Sequence, residues 1–153
     1  MTHRTMIAAA ILSGCVAVPA TAQRSFWSSS FGQGNMEYLT GEWDAATGGA
    51  LLLNCSTPNN SASLSTQIAG QSPPPGSDLT LAVQRGRASQ TLRFRAGPQG
   101  SVAFGRSASS APLRQLWEAL RAGDTVTIRY ADGRSSVQSL AGAARTLPAR
   151  PCG

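Results

Sequence analysis

Glu42 and Asp44 flank Trp43 at a spacing of two, so on an extended segment both carboxylates leave the backbone on one side with the indole opposite. Paired carboxylates about 5 to 9 Å apart across a cleft are what glycoside hydrolysis requires. One reading of the pair is therefore a carboxylate-dependent cell-wall hydrolase, and the other is a solvated strand face with Trp43 in the core. Little else in the chain could do catalysis. The only histidine, His3, falls in an N-terminal segment that reads as a removable leader. A mature chain would then lack imidazole, which excludes Ser-His-Asp and Cys-His catalysis and argues against the usual zinc sites. Gly32-Gln33-Gly34 and Gly48-Gly49 lack the strand-to-helix context and the lysine of a phosphate loop, so they read as turns and no cofactor is predicted. Asp132 reads as a turn residue, and Glu118, four residues after Arg114, as half of a surface ion pair.

The basic balance points to binding. All 13 positive side chains are arginine, and the twelve that follow residue 22 stand against seven acids for a net charge of +5. Four of them, Arg85, Arg87, Arg93 and Arg95, lie close together in sequence. Arg93 and Arg95 alternate with Leu92 and Phe94, so they leave a strand on the face opposite its apolar side, with Arg85 and Arg87 at the adjoining turn. Such a group forms an anion-binding patch for lipid or lipopolysaccharide phosphates or an acidic protein surface. The plainer reading is a soluble face and an edge strand protected by charge. Nucleic acid is not predicted, because no aromatic residues are interleaved with the arginines on an exposed face.

Residues 1–22 have the form of a secretory signal: His3 and Arg4, an apolar run from Met6 to Val18, and Ala20-Thr21-Ala22 as a cleavage site. The run is too short for a permanent membrane span, which needs about 20 residues. Leu12-Ser13-Gly14-Cys15 also fits a lipobox, in which Cys15 would carry lipid at the mature N-terminus. Either outcome leaves Cys55 and Cys152 in a compartment that oxidises thiols, where a disulfide between them is predicted and two unlinked buried cysteines are the alternative.

The elements that must hold these residues read as strands. Residues 23–35 form a loose lead-in whose Phe26, Trp27 and Phe31 dock on the core, and residues 36–153 form a single β-rich domain. Within it, Leu51, Leu53 and Cys55 share a face, as do Leu64, Thr66 and Ile68, then Leu79, Leu81 and Val83, then Leu92, Phe94 and Ala96. The three prolines from Pro73 mark an exposed loop from Gly70 to Ser77, and an enzyme inhibitor could present the stretch from Ser72 to Asp78 to an active site. Leu113, Leu116, Trp117 and Leu120 form one stripe of an amphipathic helix over 112–122, ended by Gly123. Val126, Ile128 and Tyr130 then alternate into an Asp132-Gly133 turn and a returning strand. About seven or eight short strands with one helix predict a mainly β fold, an antiparallel sandwich or partly closed barrel whose helix covers an open end or a sheet edge.

The run from Leu120 to Ile128, the later Ser139-Leu140-Ala141-Gly142, the terminal cysteine, the early Trp43 and Leu53-Asn54-Cys55 together resemble small secreted proteins of the invasion-associated locus B type. The resemblance implies a disulfide-bonded β-sandwich, periplasmic or exposed at the surface of a Gram-negative bacterium, and it brings no catalytic residue. The expectation is a non-catalytic envelope protein that binds a protein or an anionic envelope polymer; inhibitor and hydrolase are the alternatives.

Overall fold

A computed structural model describes residues 26–106 and 110–152. The expected leader over residues 1–22, with His3 and Cys15, lies outside the described residues. Among the described residues nine strands form two antiparallel sheets that face each other as a sandwich, with no closed barrel. The first sheet has the order β1 (Ser28–Gly32), β2 (Asn35–Gly41), β3 (Gly49–Ser56), β4 (Ser61–Ile68), then β7 (Val102–Arg106). The second has the order β6 (Ala88–Arg95), β5 (Asp78–Arg85), β8 (Thr125–Tyr130), then β9 (Ser135–Ser139). Between β7 and β8 the chain forms α1 (Ala111–Ala122), and a single turn, α2 (Ala143–Thr146), follows β9.

Period-two alternation sets the inner faces. Leu51 and Leu53 of β3, Leu64 of β4, Leu79 and Leu81 of β5, and Val126 and Ile128 of β8 are all buried between the sheets. The register keeps like with like: Leu53 lies between Tyr38 and Leu64, and Leu81 between Leu92 and Ile128. Helix α1 starts at Ala111 with Pro112 in its first turn and buries Leu113, Leu116, Trp117 and Leu120. Trp117 meets Tyr38 of the first sheet edge-on, with ring centroids 5.3 Å apart, while the helix also packs on β5 of the second. It thereby closes the space between the sheets.

The sheets approach most closely near β9. An added Cβ at Gly41, which has φ 85°, would lie 3.1 Å from Gln138 Oε1, and one at Gly49 would lie 2.7 Å from the Ser136 hydroxyl. Tyr130 crosses the interface: its hydroxyl lies 3.0 Å from Thr66 Oγ1 and donates to the Gln71 carbonyl at 3.4 Å. Cys55 and Cys152 are joined, which ties the C-terminal segment to β3.

Three expectations change. Residues 28–32, expected within a loose lead-in, are strand β1, and all five are exposed. A strand with neither face buried has no apolar period to read, since backbone pairing with β2 and the Ser30–Glu37 side-chain hydrogen bond hold it. Trp27 does pack on the core, but Phe26 and Phe31 are 85% and 67% exposed, and Trp43 is only half-buried. Within the proline loop, Pro73 is buried beneath the turn at Gly100, where an added Cβ would come 2.9 Å from the Pro73 carbonyl.

Candidate functional site

The outer face of the second sheet brings together three exposed arginines, Arg93, Arg95 and Arg129. On β6, Leu92 turns inward, so Arg93 and Arg95 turn outward and are exposed. On β8, Ile128 and Tyr130 turn inward, so Arg129 turns outward. Register aligns them: Thr80 of β5 pairs with Arg93 on one side and Arg129 on the other. With strands about 4.8 Å apart, the two arginine backbones stand roughly 10 Å apart across Thr80. Arg95 lies one strand from Asp78, with a single contact of 3.9 Å and both side chains 76% exposed. A solvent-exposed pair of that geometry is worth about 0 to 1 kcal/mol, so it leaves Arg95 free to exchange partners.

Arg85 and Arg87 are at the opposite end of the same hairpin. Gly86, at φ 55°, takes the first central position of the Gly86-Arg87 turn, where a II′ turn needs glycine. Six residues of extended strand put Arg87 roughly 20 Å from Arg93. The four arginines of the sequence patch are therefore two separate pairs. Arg129 takes the place of the distant pair beside Arg93, a juxtaposition that depends on β8 pairing with β5 across the intervening helix. Its own alternation in β8 marks it as outward-facing, but nothing local assigns its neighbour. At the turn end, Asp124 Oδ2 accepts the Gly86 N–H at 2.7 Å, so that end carries a carboxylate of its own.

Two clefts bracket β6. One of about 300 Å³ lies between its first residues and α1, lined by Val83, Arg85, Ala88, Gln90, Glu118 and Ala122 among others. The second, of about 420 Å³, lies beyond Arg95 and is lined by Gly97, Pro98, Gln99, Ser101 and Ala103.

The carboxylates do not assemble as the spacing predicts. The chain leaves β2 at Gly41 and turns at Trp43-Asp44, with Asp44 at φ 59°, so Glu42 and Asp44 do not share an extended face. Asp44 is instead clamped to Gln67: its N–H donates to Gln67 Oε1 at 2.7 Å, and Gln67 Nε2 donates to Asp44 Oδ1 at 2.9 Å. The Arg114–Glu118 pair does not form; among the described residues the ion pairs are Arg95–Asp78 and Arg134–Asp132. Arg ahead of Glu at this spacing is the weaker orientation on a helix. Asp132 is a turn residue that accepts from the Arg134 side chain at 2.6 and 2.9 Å and from its N–H at 3.1 Å. Those bonds hold its carboxyl below the usual carboxylate range. Arg134 also stacks on Tyr130 and donates to Gln71, which fastens the proline loop to the β8–β9 turn.

Burial pushes the Tyr38 and Tyr130 hydroxyls above the ordinary phenol value, so neither serves as a base near neutrality. Among the described residues no cluster of three His, Cys, Asp or Glu could hold a metal ion. No helix among them is long and apolar enough to cross a membrane.

The sequence profile of the YfjT family matches residues 25–147, which takes in every strand and both helices. The chain belongs to the YfjT family. No curated protein and no solved structure matches it. The family match thus covers the arginine face, the Asp44–Gln67 clamp and Cys55, and stops before Cys152.

Proposed function

We propose that this YfjT-family protein is a non-catalytic binding module of the Gram-negative envelope, periplasmic or secreted, which holds a protein or anionic polymer on the outer face of its second sheet. The observation that carries the reading is the register placing Arg93 and Arg129 on either side of Thr80, with Arg95 beside them and Asp78 as the neighbouring acid. Three guanidinium groups on one sheet face suit phosphate, sulfate or carboxylate groups spaced along a chain, since each can donate a bidentate pair. The Cys55–Cys152 bond supports a compartment outside the cytoplasm. The resemblance to invasion-associated locus B type proteins supports the same compartment.

Cation-exchange behaviour tests it directly. The Arg93→Gln, Arg95→Gln, Arg129→Gln triple variant is expected to elute from phosphocellulose or heparin at clearly lower salt, with its Tm almost unchanged because all three side chains are exposed. A charge-matched control replaces Arg114, Arg145 and Arg150, which are exposed elsewhere. Equal elution of the two triple variants would show that net charge alone governs retention and would remove the site.

A further inference from the structure

We propose that β6 is a docking edge that takes an acidic, extended segment of a partner protein as an added strand of the second sheet. The inference rests on the binding role of the arginine face and specifies the partner and how it is held.

Among the described residues strand β6 ends the second sheet, and no strand pairs with the outer side of its backbone. The two-residue turn makes Arg85 and Ala88 the closing hydrogen-bonded pair. Alternation along an antiparallel ladder then commits Ala88, Gln90, Leu92 and Phe94 to bonds with β5. Ser89, Thr91, Arg93 and Arg95 direct their N–H and C=O groups away from the sheet. The residues with free backbone groups are thus the ones whose side chains lie on the outer face, and two of them are the arginines. A strand added at this edge would set its own side chains about 4.5 to 5.5 Å from those of Arg93 and Arg95 at Cβ.

Charge selects the occupant. Strand β6 carries two arginines and no acid, and the nearby Asp78 makes only the exposed 3.9 Å contact. Pairing with the same edge of a second copy would bring arginines together, which is destabilising. Carboxylates at alternate positions of an incoming segment would meet them favourably. The residue between those carboxylates would face inward, beside half-buried Phe94 and buried Leu92, and is therefore apolar. The clefts at the two ends of the strand give the flanking side chains somewhere to lodge: one over Ala88, Gln90 and Ala119, the other beyond Arg95.

The test uses a labelled nine-residue peptide of alternating Glu and Val, followed by fluorescence anisotropy and amide hydrogen exchange. The expected result is saturable binding that protects the Thr91 and Arg93 amides. Two N-methylated peptides, methylated at every second residue in the two possible phases, should separate: one keeps binding and the other weakens at least tenfold. Thr91→Pro, which removes an outward N–H and keeps all charges, should weaken binding by a similar factor. Arg93→Gln with Arg95→Gln should also weaken it. If both methylated peptides bind like the parent and no amide is protected, strand addition is overturned while arginine-based anion binding stands. If the peptide does not bind although the protein is retained on phosphocellulose in an Arg93-dependent way, the acidic-segment partner is overturned. Failure of both peptide binding and site-dependent retention overturns the binding role as well.

Discussion

Removing the disulfide is the sharpest test of how the fold is held. Cys55 and Cys152 are 97 residues apart, and a loop of that length removes enough freedom from the unfolded chain to contribute about 4.7 kcal/mol in the chain-entropy account. The folded state should hardly notice the loss. Leu147 is fully buried, its carbonyl accepts from Arg121 Nη1 at 2.6 Å, and the Pro148 carbonyl accepts from Trp117 Nε1 at 2.8 Å. The chain therefore stays anchored as far as Pro148, and only the few residues beyond it are released. At the entropy of unfolding usual for a domain of this size, 4.7 kcal/mol corresponds to a fall in Tm of roughly 15 °C. Differential scanning calorimetry of the Cys55→Ala, Cys152→Ala variant, beside the reduced parent, measures it. Guanidinium unfolding should also show a larger m-value, because the unfolded chain is no longer held compact. A fall below about 3 °C, with the far-ultraviolet spectrum intact, would refute the reasoning and show that something else constrains the unfolded chain.

The remaining predictions concern polar contacts. Tyr130→Phe leaves the buried Thr66 hydroxyl without its partner and should cost about 1 to 3 kcal/mol in urea unfolding, whereas adding Thr66→Val to it should recover part of the loss. Asp132 is held below its ordinary pKa by the Arg134 side chain, so its contribution is complete above the unfolded carboxyl value of roughly 3.9. That contribution is lost as the pH falls through the folded value. Arg134→Gln should accordingly flatten the acid side of a stability profile measured from pH 7 to pH 2; an unchanged slope would mean the pair contributes nothing.

Legibility followed burial. Strands β3, β5 and β8 each bury one face, so every second residue is apolar and their existence and facing can be read directly. The helix announces itself through Leu113, Leu116, Trp117 and Leu120, all buried. The disulfide was legible as the pairing of the two cysteines that remain once Cys15 is assigned to the expected leader. What stayed hidden had no such local signature. Strand β1 is exposed on both faces. Asp44 bends away from the extended path because Gln67, on another strand, receives it. Arg129 joins Arg93 only through the pairing of β8 with β5, which no neighbouring residue announces. Proximity in sequence made Arg85 and Arg87 look like companions of Arg93, but a straight strand carries them away from it. The Asp132 turn was legible, although Gly133 at φ 91° supplies the positive angle there without Asp132.

The pairing of Leu81 with Ile128 also governs when the molecule can finish folding. Strands β1 to β4 are joined by short connections and can zip together as neighbours, each on the one before. The β5–β6 hairpin must wait, since the strand completing its inner side follows β7 and the whole of α1. Until then Leu79, Leu81 and Val83 have one flank open, and a chain emerging slowly from its N-terminal end would spend that interval with this hairpin half covered. Late closure of the second sheet, not formation of the first, is the step that a chaperone would most need to guard.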